Sequence, residues 1–173
     1  IEGFLKVNDC EDLYTSADYP SSKINTALGV TDDYLFEFSI PVLNSLNKKH
    51  KPFFATFMTA SDHGPYYIPP YFKPHSTVRT KQSVEFADYS LRRFISLASQ
   101  QPWFDSTIFV FIADHGAPMD GLYDMSLTYN HVPLLFYAPK IIQRPVLISK
   151  MAGQIDVFPT IMGLLRIPFL NNT

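Results

Sequence analysis

Three short apolar runs with little polar alternation occur along the chain, and this pattern predicts strands that are covered on both faces. They span residues 53–60 (FFATFMTA), 107–113 (TIFVFIA) and 132–138 (VPLLFYA). Between the first two runs, apolar residues recur at helical spacing and predict a helix with one buried face. These residues are Val84, Ala87, Leu91, Phe94, Ile95 and Ala98. The pattern therefore predicts a strand, helix, strand unit.

Two further helices are predicted. One covers about 32–47, with its apolar positions facing inward and with Pro41 expected to produce a kink. The other follows Asp156, with Pro159 tolerated in its first turn. The segment 61–77 contains four prolines and four aromatic residues, and we expect it to be a long ordered loop.

These elements predict an α/β layered fold in which a largely parallel central sheet lies between helices. The first two strands each run directly into an Asp-His-Gly triplet, at 62–64 and at 114–116. Parallel strands place their carboxyl ends at one edge of a sheet, where ligands collect. Both triplets are therefore expected at the same edge.

The composition limits the classes of function. A length of 173 residues, 46% of them hydrophobic, suffices for one compact domain or a large part of a bigger one. The formal net charge of −2 provides no basic stripe for nucleic-acid phosphates, so no nucleic-acid partner is expected. The chain has a single cysteine, Cys10, and no apolar run of about 18 residues. It begins at Ile1 without a methionine, so we expect a processed or excised piece of a longer protein.

Each Asp-His pair offers a carboxylate oxygen and an imidazole nitrogen to a divalent cation, and the glycine lets the backbone turn close to the site. A simpler interpretation stays open, since an Asp at a turn can accept backbone amides and a His can be a hydrogen-bonded surface residue. His131, directly before the third apolar run, is a further candidate whose simpler role is at the entry to the strand. His50 among lysines and His75 in the polar end of the loop are expected to be solvated.

Acidic residues at the predicted helix starts require no catalytic role. Asp156 is interpreted as an N-cap whose carboxylate accepts first-turn amides. Asp32 and Asp33 are interpreted as favourable charges at the positive end of a helix dipole. No serine or threonine lies in a recognisable nucleophile motif, so a transfer or hydrolytic site built on these residues would be incomplete.

Several segments taken together resemble one family. The stretches FFATFMTASDHGPYYIP, FVFIADHGAP, NHVPLLFYAP and AGQIDVFPTIMGLL resemble the carboxyl-terminal half of the sulfatase and alkaline phosphatase superfamily. Within it, the chain is most similar to the lipoteichoic acid synthase and phosphoglycerol transferase branch, which GFLKVNDCEDL and GVTDDYLFEFSIPVLNSL also resemble. Residues 1–173 are therefore expected to be the carboxyl-terminal half of a sulfatase-like catalytic domain.

The resemblance implies roles for particular residues. Asp114 and His115 correspond to two ligands of the catalytic divalent metal, with Mn²⁺ expected and Zn²⁺ or Ca²⁺ as alternatives. His63 corresponds to a contact to the transferred phosphate or sulfate, although SDHGPY departs from the family's usual order of a polar residue, His, an aromatic residue and Pro. His131 matches a histidine that some branches use near the phosphate or a second metal, whereas other branches have a different residue there. The family's nucleophile, a threonine, serine or modified cysteine, lies upstream and has no counterpart here.

The resemblance also implies a function for the full-length protein, namely metal-dependent transfer of phosphoglycerol or a related phosphate group. The expected partners are a phosphoglycerol lipid or a sulfate or phosphate ester, the missing amino-terminal half, and a membrane reached through upstream segments. The expected location is extracytoplasmic, in the cell envelope or periplasm. Two alternatives stay open: a sulfatase that hydrolyses sulfate esters, and a catalytically inactive interaction domain. The upstream nucleophile separates the two enzymes, since threonine favours transfer and a sulfatase-signature cysteine or serine favours hydrolysis.

Overall fold

The computed structural model describes residues 2–116 and 127–170, and the chain divides into two compact units after Lys140. The helices are α1 (Glu2–Val7), α2 (Asp32–Asn47), α3 (Arg79–Ala98), α4 (Leu127–Asn130) and α5 (Val157–Leu165). The strands are β1 (Phe109–Ile112) and β2 (Leu134–Tyr137). Short 3-10 helices occur at Ser16–Asp18, Ser21–Lys23, Phe104–Ser106 and Gln154–Asp156.

The core of the first unit forms where α2 and α3 pack together. Phe36 of α2 and Phe94 of α3 stack with their ring centroids 4.6 Å apart. Trp103 is buried beside them, and its indole N–H donates to Asn44 Oδ1 at 2.7 Å, so the ring is buried without an unpaired donor. The buried members of this core are Phe36, Leu43, Phe94, Ala98, Trp103, Phe104 and Phe109.

The helix α3 is confirmed, and of its predicted apolar face Phe94 and Ala98 are buried and Leu91 and Ile95 pack against the core, with Val84 as the exception. Val84, predicted to face inward, is 55% exposed. Small polar residues also take inward positions on α3, because their hydroxyls are hydrogen-bonded there. The Ser90 hydroxyl donates to the Phe86 carbonyl, and the Ser83 hydroxyl lies 2.7 Å from both the Thr80 carbonyl oxygen and Asp62 Oδ1. The buried residues of α3 are Ser83, Phe86, Ser90, Phe94 and Ala98.

The two strands lie within the predicted runs and pair antiparallel, with Phe109 opposite Tyr137 and Ile112 opposite Leu134. Helices and a sheet therefore occur together, as the predicted α/β class requires. The parallel pairing predicted for the central sheet is not found within residues 2–116 and 127–170, where β1 and β2 form the one named sheet.

The run 53–60 is corrected by the structure, since it forms neither a strand nor a helix. Phe53 and Phe57 pack against the core, whereas Phe54 and Met58 are 86% and 74% exposed. An apolar run can predict burial, but a strand also needs a neighbouring backbone that pairs with its N–H and C=O groups. No such ladder is formed by this run among the described residues.

Other predictions concern helix starts and the long loop. The helix predicted at 32–47 is confirmed as α2, with Pro41 inside it, and α5 follows Asp156 with Pro159 in its first turn. The segment 61–77 contains no helix or strand, as predicted. Asp156 is the N-cap residue of α5, but its carboxylate accepts the Gly153 N–H at 2.7 Å instead of a first-turn amide. None of the described helices combines the length and apolar character needed to cross a membrane.

The substitution Phe94→Ala is expected to lower the free energy of unfolding by about 3–5 kcal/mol, because it leaves a cavity in the α2–α3 core. Val84→Ala on the same helix is expected to change it by less than about 0.5 kcal/mol, because Val84 is largely exposed. Denaturant unfolding of the chain measures both values. Equal losses would mean that Val84 is buried, as the apolar pattern of α3 predicts.

Candidate metal and phosphate site

Asp114, His115 and Gly116 form a turn that begins two residues after β1, and we call it the 114–116 turn. His115 Nε2 and Asp114 Oδ2 lie 3.6 Å apart, on side chains that are 47% and 88% exposed. Ligand bonds of about 2.0–2.2 Å to each atom can span this separation. The oxygen and nitrogen donors therefore fit one divalent cation.

The backbone selects the tautomer of His115. Its Nδ1 lies 2.9 Å from the carbonyl oxygen of Gly116. A carbonyl oxygen only accepts hydrogen bonds, so Nδ1 carries the proton and Nε2 presents its lone pair when the ring is neutral. Donation of the second ring N–H to a backbone carbonyl is typical of histidines that bind metals.

Tyr129 holds the 114–116 turn from the segment before β2. The His115 ring stacks on the Tyr129 ring, with centroids 4.7 Å apart and planes 17° from parallel. The Gly116 N–H donates to the Tyr129 carbonyl at 2.7 Å. A Cβ at position 116 would overlap the carbonyl oxygen of Thr128, so glycine is required here by close packing. The sequence pattern contains no signal for the role of Tyr129.

His63 lies on an exposed turn formed by residues 60–67, which we call the 60–67 turn. Its N–H donates to the Ala60 carbonyl at 3.2 Å, and its carbonyl accepts the Tyr66 N–H at 2.9 Å. His63 Nδ1 lies 2.7 Å from the Gly64 carbonyl oxygen. As for His115, Nδ1 carries a proton and Nε2 is an acceptor in the neutral ring.

The two Asp-His-Gly triplets differ in what their carboxylates do. Asp62 Oδ1 accepts the hydroxyl of Ser83 at 2.7 Å, and Ser83 is fully buried on α3. This carboxylate therefore serves as a tether between the turn and α3. In the second triplet, Asp114 Oδ1 accepts the His115 N–H at 2.9 Å and Oδ2 lies next to the imidazole.

Asp32 is a buried residue that connects the start of α2 to the 60–67 turn. Asp32 is 3% exposed, and its Oδ1 accepts the Ala60 N–H at 2.8 Å and the Ser61 N–H at 3.1 Å. Burial raises the pKa of the Asp32 carboxyl, and the hydrogen bonds from Ala60 and Ser61 act in the opposite direction. Asp32 therefore binds the 60–67 turn in addition to its predicted role as a favourable charge at the helix dipole. The sequence feature that could have indicated this role is the pair of adjacent aspartates at the start of α2.

Asp33 connects the same helix start to the long loop. Its Oδ1 accepts the Thr31 hydroxyl at 2.6 Å, and its Oδ2 accepts the Tyr71 hydroxyl at 2.6 Å. Partial burial and this hydrogen bond to Asp33 raise the pKa of the Tyr71 phenol well above its ordinary value. Both aspartates therefore hold loop segments in addition to starting α2.

The remaining histidines are exposed. His131 lies between α4 and β2, and His50 and His75 are solvated as predicted. Within the part of the chain that the structure describes, no group of three or more His, Cys, Asp or Glu side chains is placed to hold a metal. The structure thus brings Asp114 and His115 together and does not gather His63 or His131 into a larger ligand cluster with them.

The described residues line a small recess beside His63 and a larger cavity beside α2. A recess of about 10 Å³, room for about one water, lies beside His63. It is lined by Asn25, Thr26, Val30, Thr31, Ala60, Ser61, His63 and Tyr67. A larger cavity of about 290 Å³ is lined by none of the predicted site residues. Its lining residues are Asp12, Tyr14, Pro41, Val42, Ser45, Leu46 and Lys49.

Comparison with known proteins assigns the chain to a family. The family model for sulfatases matches residues 2–167. The chain belongs to the sulfatase family. Members of this enzyme superfamily generally use a divalent metal, which agrees with the oxygen and nitrogen donors on the 114–116 turn of this sulfatase-family chain.

Individual relatives of this sulfatase-family chain include one lipoteichoic acid synthase and one lipoteichoic acid synthase-like protein of Bacillus subtilis (strain 168). The lipoteichoic acid synthase-like protein YvgJ is 28% identical over 167 aligned positions, covering 83% of this chain and 26% of YvgJ. Lipoteichoic acid synthase 2 is 26% identical over 192 aligned positions, covering 94% of this chain and 28% of that protein. Arylsulfatase K of Gallus gallus is 34% identical over 90 aligned positions, covering 49% of this chain and 17% of that protein. The chain thus spans about a quarter of the two synthase relatives.

A solved structure shares the fold. A protein of the alkaline phosphatase superfamily from Vibrio parahaemolyticus matches with a TM-score of 0.78 and 28% sequence identity. The match covers 88% of this chain and 38% of that protein. The chain therefore has the fold of part of an alkaline-phosphatase-like domain, as its sequence predicts.

Gly116→Ala is expected to displace the 114–116 turn, because the added Cβ would overlap the Thr128 carbonyl oxygen. The expected result is loss of the His115–Tyr129 ring stacking, seen as a changed chemical shift of the His115 ring protons. Gly163→Ala in α5 is the control, since nothing lies within 4 Å of its added Cβ and alanine favours a helix. An unchanged His115 ring spectrum in Gly116→Ala would contradict the close packing of this turn.

Proposed function

We propose that this chain is part of a metal-dependent transferase of phosphoglycerol or a related phosphate group, and that it supplies two metal ligands and a substrate-binding histidine. One observation carries the proposal: Asp114 Oδ2 and the lone-pair nitrogen of His115 lie 3.6 Å apart on an exposed turn. Similarity to one lipoteichoic acid synthase and one lipoteichoic acid synthase-like protein over most of the chain supports the phosphoglycerol branch.

Asp114 and His115 would hold the divalent cation, with Mn²⁺ proposed first and Zn²⁺ or Ca²⁺ as alternatives. A cation bound there would polarise a phosphoryl oxygen and lower the pKa of a coordinated hydroxyl. Asp114 contributes negative charge, and the Gly116 carbonyl keeps the His115 Nε2 free of a proton. We assign no nucleophile to this chain and propose that it comes from the rest of the catalytic domain.

His63 would contact the phosphate group of the substrate. Because Nδ1–H is used by the Gly64 carbonyl, Nε2 can donate to an oxyanion only when the ring is an imidazolium. In that form it would donate a charge-assisted hydrogen bond to a nonbridging oxygen. We propose His131, exposed between α4 and β2, as a second contact to the substrate.

The rest of the catalytic domain is the proposed protein partner. Phe54, Met58 and Leu135 are 86%, 74% and 57% exposed, so these apolar side chains are available for contact with another part of the polypeptide. The matched alkaline phosphatase superfamily protein is longer, since the chain covers 38% of it. We propose an extracytoplasmic enzyme whose substrate is a phosphoglycerol lipid or a phosphate ester and whose upstream segments reach the membrane.

Hydrolysis of sulfate esters is the second candidate, and the 34% identity to arylsulfatase K over 90 residues favours it. The two candidates use the same cation position and differ in the transferred group. A catalytically inactive interaction domain is the alternative of another class, and it would require neither cation binding nor a free His115 Nε2.

Mn²⁺ titrated into the 173-residue chain is expected to bind weakly, because two protein ligands are fewer than the three that catalytic zinc sites usually supply. His115→Ala removes the nitrogen ligand and is expected to abolish this binding. His75→Ala is the matched control, since that imidazole is 98% exposed and lies outside the 114–116 turn. Titration calorimetry of the three proteins measures the difference, and equal binding by His115→Ala would refute the metal assignment.

The same preparations are expected to cleave neither phosphodiesters nor aryl sulfates in Mn²⁺, Zn²⁺ or Ca²⁺, because no metal-activated hydroxyl is assigned to this chain. Metal-dependent turnover that disappears in His115→Ala would show that the nucleophile lies within these residues. That result would contradict the proposal that the rest of the domain supplies it.

A further inference from the structure

We infer that Asp32 and Ser83 are positioning residues that fix the 60–67 turn from two sides and so present His63 Nε2 to the substrate in one orientation. The substrate contact of His63 rests on the proposed function. The contacts that fix the turn do not depend on it.

Asp32 fixes the beginning of the turn. Its Oδ1 accepts two consecutive backbone amides, those of Ala60 and Ser61, at 2.8 and 3.1 Å. The Asp32 N–H in turn donates to Ser61 Oγ at 3.3 Å. Three hydrogen bonds therefore join the first residue of α2 to two adjacent residues of the turn, and they define both its position and its direction.

Ser83 fixes the turn one residue later. Its hydroxyl lies 2.7 Å from Asp62 Oδ1 and 2.7 Å from the Thr80 carbonyl oxygen, and its single proton is shared between these two acceptors. Ser83 is 0% exposed, so its hydroxyl is held by the packing of α3. His63, the next residue, thus follows three residues that are each bound to a helix.

Burial of these contacts favours one conformation of the 60–67 turn. Asp32 is 3% exposed and Ser61 is 8% exposed, so water has little access to replace a lost partner. A buried amide without an acceptor raises the free energy of the folded state, so the observed arrangement of the turn is favoured over arrangements that break these hydrogen bonds. Further along the turn, Tyr66 adopts a φ of 52°, a conformation that bulky residues keep only where surrounding contacts hold it.

The orientation of the His63 ring follows from the fixed backbone. The His63 N–H donates to the Ala60 carbonyl at 3.2 Å, and Nδ1 lies 2.7 Å from the Gly64 carbonyl oxygen. If the peptide between Ala60 and Ser61 moves, the first of these contacts is lost and the segment that carries Gly64 is free to shift. The ring then loses the carbonyl that selects its tautomer.

Asp32→Ala in the full chain tests the first contact by NMR. We expect amide exchange at Ala60 and Ser61 to become at least about tenfold faster, and the His63 ring ¹⁵N shifts to move from the Nδ1–H form to a mixture of tautomers. Asp32→Asn keeps an oxygen acceptor and is expected to restore both readouts. Leu43→Ala, at a buried core position of the same helix, is expected to lower stability while leaving the His63 tautomer unchanged.

Ser83→Ala and Ser90→Ala form a second matched pair, because both hydroxyls are fully buried on α3 and only that of Ser83 contacts the turn. Faster exchange at His63 is expected in Ser83→Ala alone. If Asp32→Ala does not fold, the two serine variants still test whether buried contacts fix the 60–67 turn. An unchanged His63 tautomer in folded Asp32→Ala, or equal spectra of the two serine variants, would overturn the inference. Neither readout needs a metal or a substrate, so loss of Mn²⁺ binding or turnover would count against the proposed function alone.

Discussion

The hydrogen bonds from the Ala60 and Ser61 amides to the buried Asp32 carboxylate are the constraint on which the arrangement of this chain depends. They join the start of α2, whose other end is anchored in the aromatic core, to a turn that is otherwise exposed. Burying a carboxylate is unfavourable, which is why its pKa is raised, and the donated amides offset part of that penalty. The turn that carries His63 is therefore positioned by contacts to α2 and α3 that its own Ser61 and Asp62 side chains help to form.

The two Asp-His-Gly triplets show that identical short sequences can have different physical roles. In both, a glycine carbonyl accepts from the histidine Nδ1 and leaves Nε2 outward. The difference lies in the aspartate, since Asp62 is bound by the buried Ser83 and Asp114 stays largely exposed beside His115. An exposed carboxylate oxygen next to a lone-pair nitrogen is the donor pair that a divalent metal takes, and this pairing occurs in the second triplet.

Much of the fold was predictable, because periodicity and apolar runs report burial. The bounds of α2 and the positions of β1 and β2 follow from such patterns. The run 53–60 was not predictable in the same way, because strand formation depends on a neighbour that the pattern cannot specify. The prediction that Val84 is buried was wrong. The neighbouring Ser83 takes the buried position, because its hydroxyl is hydrogen-bonded there. The role of Tyr129 in the site depends on its contact with His115, which is distant in sequence, so no local motif predicts it.

The central claim is that Asp114 and His115 hold one divalent cation, and paramagnetic broadening by Mn²⁺ tests it most directly. In a ¹⁵N-labelled chain with substoichiometric Mn²⁺, the account predicts that broadening is strongest at the amides of residues 113–116 and Tyr129 and disappears in His115→Ala. The exposed acidic residues Glu11 and Asp12 provide an internal comparison for non-specific binding. Broadening centred on those acids, or unaffected by His115→Ala, would contradict the account.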